Sequence, residues 1–445
     1  MTELQQPDIA KLKERVDGVL KLARQLGASE ADAGASFSSG LSVTVRMRDV
    51  ETLEYQRDQG LSLTVYFGHR KGSASTSDLS DSAVEESVRK ACTLARYAAE
   101  DDCNGLADID RLAKTIPDLD LHHPWSIEPE QAIDLATECE VAALDSDDKI
   151  DNSEGATVGT HDGCRVYGNS NGFLEGHRST HHSISCAVLA SDGAQMERDY
   201  DYSVARDASD LTGTIAIGLE AANRVLKRLG ATKLDTKVTP VLYPADLARV
   251  LFGHLLSAIS GGSLYRKSTF LLDRLDTQVF ADMITIDELP HIAKGLASSP
   301  YDSEGVATAD RRLVDGGVLK AYMLGSYYAR KLGMETTGNA GGSHNLVVSN
   351  TGHGFTDLLA SMDRGFLLTE LMGHGINPVT GDYSRGAAGF WVENGEVQYP
   401  VNEVTVAGNL LDMYRNIVAV GTDTDYRGGI RTGSVLVDAM TVAGN

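Results

Sequence analysis

Cysteine is scarce in this chain, and what there is carries no pattern. Five stand in 445 residues, Cys92, Cys103, Cys139, Cys164 and Cys186, with no C-x-x-C spacing of a zinc or redox pair. So sparse and odd a set argues against a disulfide framework and for a reducing cytoplasm. Basic residues are also in deficit: 40 Lys and Arg face 63 Asp and Glu, for a formal net charge of −23. Gripping a nucleic-acid backbone needs clustered cations. The short pairs Arg70-Lys71, Lys227-Arg228 and Arg311-Arg312 read as solvated surface, so nucleic acid is not an expected partner. No run of about 18 apolar residues occurs, which excludes a helical membrane span. The N-terminal segment lacks the apolar core of a signal peptide and reads as an amphipathic helix with Leu12, Val16, Val19, Leu20 and Ala23 on one stripe.

What is present suits a soluble α+β protein. At about 150 residues per domain the length allows two to four, and a hydrophobic fraction of 42% is enough for real cores. Three parts are expected. Residues 1–120 carry a helix, alternating runs such as Leu41–Met47 and Leu61–Phe67, and a second helix from about Asp81. Residues 121–235 repeat that order, with Pro129 in the first turn of a helix. Asp78-Leu-Ser-Asp81 precedes the closing helix of one unit and Asp207-Ala-Ser-Asp210 that of the other. A duplicated α+β unit is the reading, and convergent capping by Ser and Asp is the competing one. Residues 236–445 open on a strand and a helix from Pro244, then become strands and turns. A mostly antiparallel, barrel-like or sandwich-like sheet is expected there.

Most chemical motifs fail on inspection. Gly168-Asn-Ser-Asn-Gly172 has the G-x-S-x-G form of a hydrolase elbow, but a strand rather than a helix follows, so a turn is expected. Gly338–Ser343 resembles a phosphate loop without its G-K-[ST] ending, and reads as a tight loop that approaches a ligand through its backbone. In His122-His123 and His181-His182, neighbours on a strand point to opposite faces and cannot chelate one ion. His344, His353 and His374 sit singly among glycines. The helix from Pro244 has an i, i+4 core stripe, Leu247, Leu251, Leu255 and Ile259.

The richest stretch is Gly373–Ile417. Phe390-Trp391-Val392 and Val397-Gln398-Tyr399 flank Glu393-Asn394-Gly395-Glu396, where Asn-Gly predicts a hairpin with positive φ at both turn residues. With Tyr301–Val306, Leu313–Leu319, Ala329–Gly333, Thr337-Gly-Asn339 and Gly261-Gly-Ser-Leu-Tyr-Arg-Lys267, this stretch resembles the TldD/PmbA family of metallopeptidase subunits, in its PmbA (TldE) branch.

The resemblance carries specific expectations. The TldD branch has HExxxH on the helix before the Gly261–Lys267 landmark and a cysteine ligand in the C-terminal tail. Zinc-bound water, activated by the glutamate, would be its nucleophile. Counted from Arg266, the His, Glu and His positions fall on Gly253, His254 and Ala258, and the cysteine position falls near Gly428. The resemblance thus implies no catalytic residue, metal ligand or cofactor in this chain, with zinc carried by a TldD-like partner in a cytoplasmic heterodimer. Unfolded peptides and the leader peptides of ribosomally made antibiotics are the implied substrates. A homodimer of the isolated chain, standing in for the heterodimer, is a possible outcome because paired subunits of one family tend to reuse one surface; the sequence does not say whether the chain self-associates. For peptide contact the candidates are Gly341, Gly342, Asn345, Leu346, Val347 and Val348, with Asn345–Ser349 as an edge for strand addition or, alternatively, an ordinary internal strand. Two other readings stay open: an autonomous hydrolase using His254 with His344 or His374, and a non-enzymatic peptide-binding or regulatory protein.

Overall fold

The structure, a computed structural model, describes residues 8–193 and 195–444. Its first half is one sheet made by two units. In the first, α1 (Ile9–Gln25) precedes β1 (Glu30–Arg46), β2 (Asp49–Phe67) and β3 (Arg70–Thr76), and α2 (Asp81–Tyr97) closes the unit. The second repeats the order with α3 (Pro129–Leu144), β4 (Asn152–Asn169), β5 (Leu174–Asp192), β6 (Gln195–Ala205) and α4 (Thr214–Arg228). All six strands run antiparallel in the order β3-β2-β1-β4-β5-β6. The leading strands of the two units meet at the centre, Asp32 opposite Asn169 through Val45 opposite Ala156. The duplication is therefore real at the level of topology. The D-x-S-D motifs share an Asx turn, with Asp78 Oδ1 accepting from Ser80 N at 2.8 Å and Asp207 Oδ1 from Ser209 N at 3.0 Å. Only Ser80 caps its helix directly; a one-turn 3₁₀ segment and Gly213 intervene before α4.

Strand alternation assigns the two faces of this sheet. Ala31, Ala33, Ala35 and Phe37, then Leu41, Val43 and Val45, are buried on the helix side. α1 contributes Leu12, Val16, Val19 and Ala23, while Leu20, at the margin of its stripe, is only partly buried. The other face of β1 presents Gly34, Ser36 and Ser38, small and polar, toward the third part of the chain.

That third part runs β7 (Lys237–Tyr243), α5 (Ala245–Ala258), α6 (Gly261–Tyr265), β8 (Ile286–Glu288), β9 (Arg311–Asp315), β10 (Val318–Leu319), α7 (Ser326–Leu332), β11 (Leu346–Val348), α8 (Phe355–Ser361), β12 (Arg364–Met372), β13 (Asp382–Glu393), β14 (Glu396–Asn409), α9 (Leu410–Arg415), β15 (Ile417–Val420), β16 (Ile430–Arg431) and β17 (Val435–Ala443). β14, β13, β12, β7 and β17 follow one another, and β14 pairs back onto β17. The result is a closed five-stranded barrel, antiparallel except for the β12–β7 pair. Closure leaves those strands no open edge. The Asn394-Gly395 turn has φ of 56° and 73°, and Glu393 pairs with Glu396 across it, as the dipeptide predicts. A smaller sheet, β10-β9-β8-β11-β16, lies beside the barrel. Leu251, Phe252 and Leu255 of α5 join Tyr243, Phe366, Tyr383 and Tyr414 in one core. Each fully buried side chain of this size contributes about 1.5–3 kcal/mol. Leu247, at the start of the helix stripe, is only partly buried.

Ion pairs dock the barrel on the sheet. Arg228 of α4 meets Asp199 at 3.2 Å, Glu197 at 3.3 Å and Glu370 of β12 at 2.6 Å. Arg427, before β16, reaches Asp201 of β6 at 3.1 Å and stacks over the Tyr202 ring. Within the second unit, α3 and α4 touch through Gly218, where an added Cβ would drive into the Cys139 carbonyl oxygen. Gly218→Leu is expected to lower stability by about 3 kcal/mol, read as a fall in the urea midpoint with an unchanged slope.

Candidate functional site

The Gly338–Ser343 loop sits where sheet and barrel domain meet, and two buried carboxylates hold it. Glu288, at the end of β8, is 1% exposed. Its Oε1 accepts from Asn339 Nδ2 at 2.7 Å and His344 N at 2.9 Å, and lies 3.0 Å from His344 Nδ1. Arg311 approaches Oε2 at 3.4 Å. Burial alone would raise this carboxyl's pKa, but the bonds from His344 and the Arg311 charge outweigh it and hold it below the usual range. On the other side, Asp302 accepts from Glu304 N, Val306 N and Ala340 N, each at 2.9 Å. Burial first, and the Glu304 charge second, push Asp302 up to about 6. Gly338, Gly341 and Gly342 have φ of 70°, 94° and 129°, so a side chain would be strained there. A Cβ on Gly341 would also collide with Ser303 Oγ.

Two clefts flank the loop, and Gly341 and Gly342 line both. One, of about 780 Å³, lies against the polar sheet face, with His161, Arg165, His177, Arg206 and Tyr301 in its wall. The other, of about 1050 Å³, is lined by Ser257, the Gly261–Ser263 turn, Arg266 and Tyr328. The remaining candidates for peptide contact do not join them. Asn345 is fully buried, its side chain bonded to Leu289 O, Ser298 Oγ and Ala297 N. Leu346–Val348 is β11, paired antiparallel with β8 and in parallel with β16. The strand-addition reading of this segment is corrected by that pairing: both sides of β11 are taken, and the internal-strand alternative holds.

Gly253, His254 and Ala258 lie on α5, next to the tail. Arg249 Nη1 donates to Arg427 O at 3.4 Å and sits beside Gly428. Helix and tail converge, but their donors do not fit a zinc ion. Gly253 faces open space, Ala258 is buried in the core, and Gly428 neighbours a guanidinium. His254 turns its ring to Tyr383, centroids 6.1 Å apart, and its buried Nε2 has no partner among the described residues. A zinc site needs three or four converging donors, and among the described residues no three His, Cys, Asp or Glu side chains form such a group.

Other motifs resolve into structure. Gly168–Gly172 is the β4–β5 connection, where Asn169 Oδ1 accepts from Asn171 N and Phe173 N; no helix follows. His182 is buried against Thr160 and the His123 carbonyl, while His181 points out. His344 is committed to Glu288, and His353 and His374 lie exposed in loops. Sequence reasoning missed Arg165, His177, Arg206, Tyr301 and both anchoring carboxylates. The alternation His161, Gly163, Arg165, Tyr167 along β4 was the available signal for the cleft wall.

A duplicated α+β sheet docked on a closed β-barrel has known counterparts. The chain matches the PmbA/TldA metallopeptidase domain 1 over residues 31–95, the central domain over 122–229 and the C-terminal domain over 236–444. It is 50% identical to the metalloprotease PmbA of Escherichia coli across 97% of this chain and 96% of that protein. The PmbA homolog of Haemophilus influenzae is 48% identical, over 98% and 96%. A candidate DNA gyrase modulator from Bacteroides thetaiotaomicron superposes with a TM-score of 0.93 at 30% identity, covering 97% of this chain and 99% of that one. TldE from Thermococcus kodakarensis shares the fold, with a TM-score of 0.85 at 20% identity over 97% and 100%. The chain belongs to the PmbA/TldA metallopeptidase family, and its place within it is the PmbA branch.

Burial first, and the Arg385 cation second, hold the His254 imidazole down at about 4. Its folded pKa lies below the ordinary 6.5, so its stabilising contribution is present above 6.5 and is lost as pH falls through about 4. His254→Phe is expected to lose less melting temperature than the wild type between neutral pH and pH ~4. Parallel melting curves across that window check it; identical slopes would refute it.

Proposed function

We propose that this chain is the PmbA (TldE)-type subunit of a two-subunit cytoplasmic metallopeptidase that acts on unfolded peptides and leader peptides, and is not catalytic alone. One observation carries the reading: α5 and the tail meet through Arg249 and the Arg427 carbonyl, yet the motif positions there are Gly253, His254, Ala258 and Gly428. The family frame supplies the meeting place without the ligands. Zinc and the activated water then come from a TldD-like partner. This subunit's part is to complete the proteolytic chamber and to guide an extended peptide past the Gly341-Gly342 loop. No helix among the described residues is long and apolar enough to cross a membrane, and the acid excess and sparse cysteines suit a cytoplasmic complex. By itself the chain is expected to pair with a second copy through the surface it offers the partner.

The test is reconstitution. Purified alone, the chain is expected to hold far less than one zinc per molecule by elemental analysis and to leave an unfolded peptide intact. Mixed with a TldD-like zinc subunit, it is expected to co-elute as a one-to-one complex whose cleavage requires both chains. Stoichiometric tightly held zinc with cleavage by this chain unaided would overturn the reading, as would failure to form any complex.

A further inference from the structure

The cleft between the polar face of the sheet and the glycine loop carries an unbalanced set of donors. Arg165 of β4 and His177 of β5 are direct cross-strand neighbours. Among the described residues Arg165 has no ion pair, although the chain as a whole carries a net −23. Arg206 donates its terminal nitrogens to Thr180 O at 2.9 Å and Leu296 O at 2.8 Å, leaving Nε without a partner among the described residues. His177 Nδ1 is likewise unpartnered, and its ring packs edge-on against Tyr301 at 5.8 Å. Tyr301 is only 5% exposed, lines the same cleft, and has a hydroxyl with no partner. Buried polar atoms are normally satisfied, so three such groups around one cleft, beside the exposed Arg165 guanidinium, call for a ligand that accepts hydrogen bonds. The carboxylate in this wall, Asp302, is already occupied by three backbone N–H groups. Nearby Glu175 is paired with Lys13 at 2.7 Å.

We propose that this cleft binds a carboxylate of a peptide, either its C-terminus or an Asp or Glu side chain, through Arg165, Arg206 Nε, His177 and the Tyr301 hydroxyl. A guanidinium fork matches carboxylate geometry, and a cation facing a cleft in an acidic chain draws the negative end of a ligand to that spot. The cleft, about 780 Å³, has room for more than the carboxylate. Ser36, Ser38, Ser62 and Ser179 line it as further polar contacts. Burial, with Arg165 and Arg206 as the smaller causes, keeps His177 down at about 4, so at neutral pH it is an uncharged donor. That the ligand is a peptide rests on the subunit reading above; that the cleft prefers a carboxylate stands on its own residues.

Fluorescence anisotropy with the full chain and three fluorescein-labelled decapeptides of neutral, unstructured sequence tests this. One has a free C-terminal carboxylate, one a C-terminal amide, and one an amide with two internal glutamates. At least one carboxylate peptide is expected to bind about tenfold tighter than the neutral amide, as a charge-assisted hydrogen bond provides. The preference should shrink as salt rises from about 50 to about 300 mM. Arg165→Gln, at an exposed position, is expected to remove most of the preference, and Tyr301→Phe part of it, each with an unchanged melting temperature. Which carboxylate peptide binds tighter identifies the source. Equal binding of all three, or a preference that survives Arg165→Gln, overturns the proposal while leaving the subunit reading in place. No binding of any peptide also overturns it, and the subunit reading is then judged by the cleavage of the reconstituted pair.

Discussion

A single buried carboxylate, Glu288, decides where the glycine loop stands. Removing a carboxylate from water costs several kcal/mol unless bonds and countercharge offset it. Here the offset comes from the loop itself: the Asn339 amide, the His344 amide and imidazole, and Arg311 from the neighbouring strand. The loop cannot leave without stranding that charge. Asp302 repeats the arrangement from the opposite side, through Ala340 N. A segment rich in glycine is thereby held in one conformation, and its positive-φ residues become the ridge between two clefts.

The same two-residue period that builds the sheet's core also builds the cleft. Along β1, odd-numbered Ala31 to Phe37 go under the helices, and even-numbered Gly34 to Ser38 line the open face. On β4 and β5 the equivalent positions carry Arg165 and His177. Because the two units join through their leading strands, these positions lie near the middle of a six-stranded platform instead of at an edge. Docking of the barrel by Arg228 and Arg427 then covers the platform and turns a polar surface into a cleft.

At α5 the fold and the chemistry separate. The helix is packed by Leu251, Phe252 and Leu255, none of which is a motif position. Most of its packing therefore comes from positions other than 253 and 254, with Ala258 joining the same core as a small side chain. The helix frame and the side chains on its other face are thus set separately: here that face carries Gly253 and a His254 imidazole that burial keeps uncharged at neutral pH.

Much of this was legible in the residues. The Asn394-Gly395 hairpin, the α1 stripe, the inward and outward histidines of β5 and the repeated unit order all follow from short-range rules of φ, period and capping, which need no distant partner. The reading of Leu346–Val348 as a free edge failed because an edge is defined by which strands lie beside it, and β8 and β16 come from 58 residues earlier and 84 later in the register. Arg165 and Tyr301 were not read as cleft residues for a similar reason: they lie far apart in sequence and meet only in the folded cleft. What the sequence determined alone was local conformation and family membership. Tertiary structure decided which strands are internal, which carboxylates are buried and which donors face one another, because burial and pairing are set by the whole packed chain and not by neighbouring residues.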